Sequence, residues 1–297
     1  CSSDLSVSAK AAPPAPALTL GHPWPSANPE AKSLVDAQWQ GAQGLAADIA
    51  YYGKLLKQKA FEKIGHLYPK VKVPGTGQDA TVIAWIWART VKCPNPACGC
   101  GMPLVKSFWL SKKKGKEVWL EPIAEGGKVH FEVRHGAGNV PEGTVSRTGA
   151  RCACCGASVP FSYIREEAKS GRMGAQMMAI VAESSGGRLY LAANEEHARV
   201  AEVPMPGNVP VGDMPDKALG FRVQEYGITK YSQLFTNRQL TALTTFSDLI
   251  AEVQEQICID GGSKEYSEAV AVYLAILVDK LADRNSSICS WDASRDG

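Results

Sequence analysis

The chain has few of the features that announce a function outright. No apolar run reaches the roughly 18 residues that a membrane-spanning helix needs, so no helical anchor is expected. The opening residues are polar and then Ala/Pro-rich, without the apolar core of a secretory leader. Charge of one sign is missing too: 32 Lys and Arg stand against 30 Asp and Glu. With a net charge of +2, any nucleic-acid binding must come from a local patch and not from a global field. There is no Walker loop, no G-x-G-x-x-G, no nucleophile elbow and no H-E-x-x-H. No internal repeat is visible. Nine cysteines in 297 residues are too sparse for a disulfide scaffold. Clustered cysteines without a leader point to metal binding in the cytoplasm.

Six of the nine fall in two tight clusters, CPNPACGC and CACC. Cys93 and Cys98 form a C-x4-C pair, and Cys152 and Cys155 a C-x2-C pair. Each pair runs into a glycine, Gly99 or Gly156, free to take positive φ. A short loop presenting two thiolates is half of a tetrahedral zinc site, and two halves complete it. The expected metal ligands are Cys93, Cys98, Cys152 and Cys155, holding a structural zinc. Cys100 and Cys154 are left over, with Cys100 an alternative to Cys98 at C-x6-C spacing. Four cysteines leave no open position for water, which argues against a catalytic metal. Cys258 and Cys289 sit in helix-like contexts and read as ordinary core or surface thiols.

Around these clusters the pattern changes along the chain. Residues 7–27 are Ala/Pro-rich and irregular, after which Asn28 and Pro29 offer a helix start. Leu45, Ile49, Tyr52 and Leu56 predict an amphipathic helix over about 42–66. Residues 80–91, ATVIAWIWARTV, read as a strand buried on both faces. Short strands follow to about Ala193: PLVKSFWL, KEVWLEPI, KVHFEV, GTVSR and the hairpin MMAIVAE–SSGG–RLYLAA. Asn194 caps EEHARVAEV, and Thr236 with Gln239 forms a capping box. The helix they open presents Leu240, Leu243, Ile250, Val253 and Ile257 on one face and stops at Asp260-Gly261-Gly262. A further helix over 263–285 is apolar nearly all round, as expected of a core helix.

One local patch is basic. Lys112, Lys113, Lys114 and Lys116 occupy a hairpin tip flanked by Trp109 and Trp119. Arg89, Lys92 and Lys106 extend this island, with Glu117 its one acid. Such a tip can grip phosphates, with aromatics available for stacking; its bland reading is a solvated turn with inward tryptophans. GRMG at 171–174 has neither phosphate-loop spacing. His22, His66, His130, His135 and His197 are scattered and read as structural or surface groups.

Several strings in order resemble one family, the adenine-specific DNA methylases that contain a zinc ribbon. They are GAQGLAADIAYYGK, IGHLYPK, ATVIAWIWARTVKCPNPACG, PLVKSFWLSKKKGK, GTVSRTGARC, YIREEAKSGRMGAQMMAIVAE, LFTNRQLTALTTFSDLI and AVAVYLAILVDKLADRNSSICSWDASRDG. Together they cover about Trp39 to Gly297. The resemblance implies an α/β fold: part of a Rossmann-like methyltransferase sheet, a β-rich zinc-ribbon insertion and a C-terminal helical segment. It divides the chain into a leader at 1–27, a core helix and strand at 28–91, the insertion at 92–194 and a helical return at 195–297. It implies S-adenosylmethionine-dependent methylation of adenine in double-stranded DNA, with the base flipped out of the duplex. The family's F-x-G-x-G type cofactor loop and D-P-P-Y type motif are not in this sequence; APPAP at 12–16 lacks the acidic and aromatic members. The resemblance therefore reads the chain as the central segment of the enzyme, inactive alone and without catalytic residues of its own. The start at Cys1 without Met and the polar end NSSICSWDASRDG are read the same way, with the first six or so residues given no functional weight. The ribbon then falls where a target-recognition element sits, and its lysines are expected to help dock DNA. The alternative is a stand-alone zinc-ribbon module that binds nucleic acid or protein and catalyses nothing.

Overall fold

The computed structural model describes residues 42–184, 186–216, 220 and 222–294. The Ala/Pro-rich leader and the helix start at Asn28 lie outside them. The chain divides into two compact units. A helical unit contains Gln43–Ile64 and Ala242–Arg284; a β-rich unit contains Gly65–Thr241 and the residues from Asn285 onward.

Three helices build the helical unit: α1 (Gln43–Ile64), most of α4 (Asn237–Ile259) and α5 (Lys264–Arg284). On α1 the buried stripe runs Gly44, Asp48, Tyr52, Leu56, Ala60, Ile64, a strict i, i+4 row. The predicted Leu45 and Ile49 flank this row, half-buried. Tyr52 and Leu56 pack with Leu249, Val253 and Ile257 of α4 and with Tyr266, Val270 and Leu274 of α5. Periodicity did not reveal two polar pairs, one buried and one partly buried. The Tyr266 hydroxyl donates to Asp48 at 2.6 Å, and the Tyr52 hydroxyl donates to Asp260 at 2.8 Å. Burial first, then the facing carboxylates, holds both phenols above their usual range. The capping box forms as predicted: the Thr236 N–H donates to Gln239 Oε1 at 2.9 Å, and the Gln239 N–H to Thr236 Oγ1 at 3.3 Å. The helix α5 differs from expectation. Val270 and Leu274 are buried, but Val272, Tyr273, Ile276 and Leu277 are exposed, so only one face is covered. Truncating Leu274 to Ala is expected to cost about 2–5 kcal/mol, read as a lower urea midpoint for loss of helical circular dichroism.

In the β-rich unit the longest strands are β3 (Val82–Lys92) and β10 (Gly174–Ser184). They pair antiparallel at the centre of a four-stranded sheet. Its other members are β4 (Gly101–Leu104) beside β3 and β11 (Gly187–Ala192) beside β10. A second sheet holds β5 (Trp109–Ser111), β6 (Val118–Glu125) and β7 (Lys128–His135). Gly126 and Gly127, both at positive φ, turn β6 into β7, the two-residue geometry a right-twisted hairpin prefers. Two short ladders complete the unit: β1 (Val71–Lys72) with β2 (Asp79–Ala80), and β8 (Gly149–Arg151) with β9 (Ser158–Pro160).

Every strand pairing among the described residues is antiparallel. A Rossmann-like sheet is parallel and needs a crossover helix between neighbouring strands. The expected methyltransferase sheet is thus not what these residues form; the chain is a mixture of helices and antiparallel sheets. The strand over 80–91 shows why. It joins β4 and β10, and Ile83 and Trp87 stay about 40% and 37% exposed. An antiparallel sheet needs only one covered face. PLVKSFWL splits into β4 and β5, because Thr144 intervenes: its hydroxyl donates to Pro103 O at 2.7 Å and accepts from Val105 N at 2.8 Å. GTVSR contributes only a bridge from Val145 to Ala150, and the strand forms later as β8. Helix α2 (Phe161–Lys169), buried through Ile164 and Glu167, was not read from the sequence. The hairpin β10–β11 and helix α3 (Glu195–Val200) appear as expected, the latter capped by Asn194 Oδ1 accepting from Glu196 N at 2.7 Å. Gly143 lies against the Val105 and Lys106 carbonyls where a Cβ has no room. Gly143→Ala is expected to destabilise the unit by about 3 kcal/mol, measured as a fall in its thermal midpoint.

Candidate metal centre

Strand β3 delivers Cys93 to the end of the sheet, and the chain then doubles back. Cys93 N donates to Cys100 O at 2.8 Å, Cys98 N to Asn95 O at 2.9 Å and Gly99 N to Asn95 O at 3.1 Å. The Asn95 side chain stiffens this turn by accepting from Ala97 N at 3.1 Å. The second loop is built alike between β8 and β9: Cys152 N donates to Ala157 O and Gly156 N to Cys152 O, both at 2.9 Å. Gly99 and Gly156 sit at φ of 58° and 74°, the left-handed conformation that lets each loop fold over its sulfurs.

The two loops face each other. The sulfurs of Cys93, Cys98, Cys152 and Cys155 all lie within 4.8 Å of one another, positioned to hold a metal ion. Cys93 Sγ is 3.7 Å from Cys155 Sγ, and Cys98 Sγ is 3.9 Å from Cys152 Sγ. A tetrahedron with metal–sulfur bonds of about 2.3 Å has edges of about 3.8 Å, so the spacing fits a four-thiolate site. Backbone N–H groups point at the sulfurs as thiolates require: Asn95 to Cys93, Cys100 to Cys98, Ala157 to Cys155. Burial pushes the Cys93 thiol up to about 12, against the Asn95 N–H and with the Cys152 and Cys155 thiols. On Cys98 the Cys100 N–H pulls down, burial and the Cys155 and Cys152 thiols push up, and the sum is upward. The Ala157 N–H leads in holding Cys155 down at about 7. A cation would release the buried thiols from this mutual penalty. The Cys93 and Cys152 side chains belong to the hydrophobic core, packed with Ala88, Val91, Val159 and Ile164.

Cys100 and Cys154, the two left over, are joined as a disulfide. They also form, with Cys98 and Cys152, a second group whose sulfurs lie within 4.8 Å of one another. The sequence carried a signal for this. Cys98 to Cys152 and Cys100 to Cys154 have the same separation of 54, so two loops in register bring both pairs together. Among the described residues no histidine or carboxylate joins either group. Cys258 and Cys289 are exposed and elsewhere, and Cys289 lies outside any helix.

The four lysines lie where the sequence put them, exposed on the turn between β5 and β6. Lys116 N donates to Lys113 O at 2.8 Å, and Gly115 takes φ of 77°. Trp109 and Trp119 are cross-strand partners at the base of this hairpin; Trp119 packs inward, and the Lys112 ammonium sits 5.9 Å from the Trp109 ring. Of the rest of the basic island, Arg89 turns to Ser287 and Met173. Beside the hairpin opens a cleft of about 760 Å³, lined by Lys113, Lys116, His135 and Arg188 together with Glu117 and Glu183. Arg188, 5.4 Å above the Trp291 ring, was not singled out from sequence; its neighbours come from distant strands. GRMG is a structural turn, since Arg172 pairs with Glu167 at 2.6 Å across it. His197 is a core residue, buried and accepting from Trp85 Nε1 at 2.9 Å, and burial pushes its pKa down. No helix among the described residues is long and apolar enough to cross a membrane. No protein-family model, curated protein or solved structure matches the chain.

Proposed function

We propose that this chain is a zinc-folded, DNA-docking segment of an S-adenosylmethionine-dependent adenine-specific DNA methyltransferase working in the cytoplasm. The reading rests on the methylase-like strings quoted above, and one structural observation supports its zinc part. The four sulfurs at 93, 98, 152 and 155 lie within 4.8 Å of one another, and two of their separations, 3.7 and 3.9 Å, match the edge of a four-thiolate tetrahedron. Zinc there is structural: it ties the end of β3 to the β8–β9 loop and leaves no position for a substrate. Lys112, Lys113, Lys114 and Lys116, on the β5–β6 turn of the same unit, supply phosphate contacts. In this reading the Rossmann-like sheet, the S-adenosylmethionine site and the base pocket are contributed by other parts of the enzyme, and no catalytic residue is assigned here.

A second reading is favoured by the antiparallel pairing of every strand among the described residues: a stand-alone zinc module that binds nucleic acid or protein and catalyses nothing. The flanking coding sequence separates the two. A glycine-rich F-x-G-x-G loop upstream and a D-P-P-Y motif downstream support the enzyme, and an open reading frame without them supports the module. Binding itself is tested by titrating the zinc-loaded chain with labelled duplex DNA at several salt concentrations. The proposal expects saturable binding that weakens steeply with salt; no binding at low salt counts against both nucleic-acid readings.

A further inference from the structure

Six sulfurs occupy the cluster, and the two four-cysteine groups are not independent. They share Cys98 and Cys152. The remaining members divide cleanly, Cys93 and Cys155 on one side, Cys100 and Cys154 on the other. The shared pair is 3.9 Å apart, the edge of a tetrahedron with metal–sulfur bonds of about 2.3 Å. Two tetrahedra sharing one edge need six donors, two bridging and four terminal, and that is the inventory present.

We infer that, once the Cys100–Cys154 bond is reduced, the cluster takes up a second thiophilic divalent cation through Cys98, Cys100, Cys152 and Cys154, with Cys98 and Cys152 bridging the two ions. The inference rests on the reading of the first four cysteines as a metal site. Charge supports the pairing. One divalent ion with four thiolates carries two negative charges; a second ion with two more thiolates leaves that total unchanged, so the core bears no added charge. Cys100 is 1% exposed, and its thiolate inside the core requires such a cation.

The chemistry balances with a dithiol as reductant. The dithiol gives two electrons, the Cys100–Cys154 bond breaks to two thiols, and the reductant closes its own disulfide. Binding of the cation then forms two terminal and two bridging metal–sulfur bonds and releases the two thiol protons to solvent. The disulfide and the second ion therefore exclude each other, while the first site persists in both redox states.

The test is metal stoichiometry of the full chain, by cobalt(II) titration and by elemental analysis after zinc loading. Fully reduced wild-type chain is expected to bind two equivalents, and chain with the Cys100–Cys154 bond intact one. Cys100→Ser and Cys154→Ser are each expected to bind one equivalent under reducing conditions and to keep the wild-type circular dichroism. In the reduced wild type, the high-spin cobalt paramagnetic resonance signal should rise to one equivalent and then fall as thiolate bridges couple the second ion to the first. Saturation at one equivalent, or a signal that grows linearly to two, overturns the inference while leaving the first site intact. No tight binding in either redox state overturns the underlying reading as well. If neither serine variant folds, the wild-type titration decides alone by the same criteria.

Discussion

Removing the metal from the zinc-loaded chain, with the Cys100–Cys154 bond reduced, is expected to unfold the β-rich unit and spare the helical one. A structural zinc site contributes on the order of 10–16 kcal/mol of apparent binding free energy, which rivals or exceeds the whole 5–15 kcal/mol stability of a typical domain. The sulfurs here are not an appendage. Cys93, Cys100 and Cys152 are buried among the residues that make the core of both sheets, including Val91, Val105, Leu110 and Val159. Without a cation, burial keeps the Cys93 thiol protonated, and of the ties between the two loops only the Cys100–Cys154 bond remains. The helical unit has a separate core, Tyr52, Leu56, Leu249, Val253, Val270 and Leu274, which contains no cysteine. Hydrogen-exchange mass spectrometry after chelation should therefore show β3 and β10 amides losing protection while α1 and α5 amides keep theirs. Cys93→Ser and Cys152→Ser should reproduce the pattern without a chelator. Retained protection in β3 after complete zinc removal would contradict the structural role.

Reversing the charge of the hairpin tip is the second large effect. With Lys112, Lys113, Lys114 and Lys116 all changed to Glu, DNA affinity at low salt should collapse. If each lysine neutralises one phosphate, the slope of log affinity against log salt should shrink by up to about 0.9 per residue. Stability should hardly change, because the four side chains are exposed on a turn and surface substitutions there are worth within about 0.5 kcal/mol. That separation makes the variant informative: thermal midpoint and zinc content serve as controls, and only the salt slope reports docking. An unchanged slope would assign the hairpin a purely structural place. Arg188→Ala tests whether the adjoining cleft takes part, with a further loss in slope of about one.

What the sequence made legible was local. The capping box at Thr236 and Gln239, the Asn194 cap, the β10–β11 hairpin and the extent of α1 follow from short-range rules, and each is found within about three residues of its predicted place. The cysteine pairs were legible for the same reason, since spacing and a following glycine define each loop by itself. Long-range pairing was less so. The run over 80–91 is rich in β-branched and aromatic residues, but its apolar character cannot say whether its neighbours run parallel or antiparallel. Assigning it to a parallel sheet came from the family resemblance, and the short connections to β4 and between β10 and β11 favour antiparallel pairing instead. The Asp48–Tyr266 and Tyr52–Asp260 pairs join residues far apart in sequence, so no local pattern displays them, and the Cys100–Cys154 bond shows only in the equal spacing of the two clusters. The exposed side of α5 was misjudged because an apolar helix signals burial without naming what buries it.

The central claim is that four thiolates hold zinc and that the metal folds the β-rich unit. X-ray absorption at the zinc edge on the purified, zinc-loaded chain tests it most directly. The account predicts a first shell of four sulfurs at about 2.3 Å with no nitrogen or oxygen, whether one ion or two bridged ions are present. A shell containing lighter scatterers, or a folded chain that retains no zinc, would contradict it.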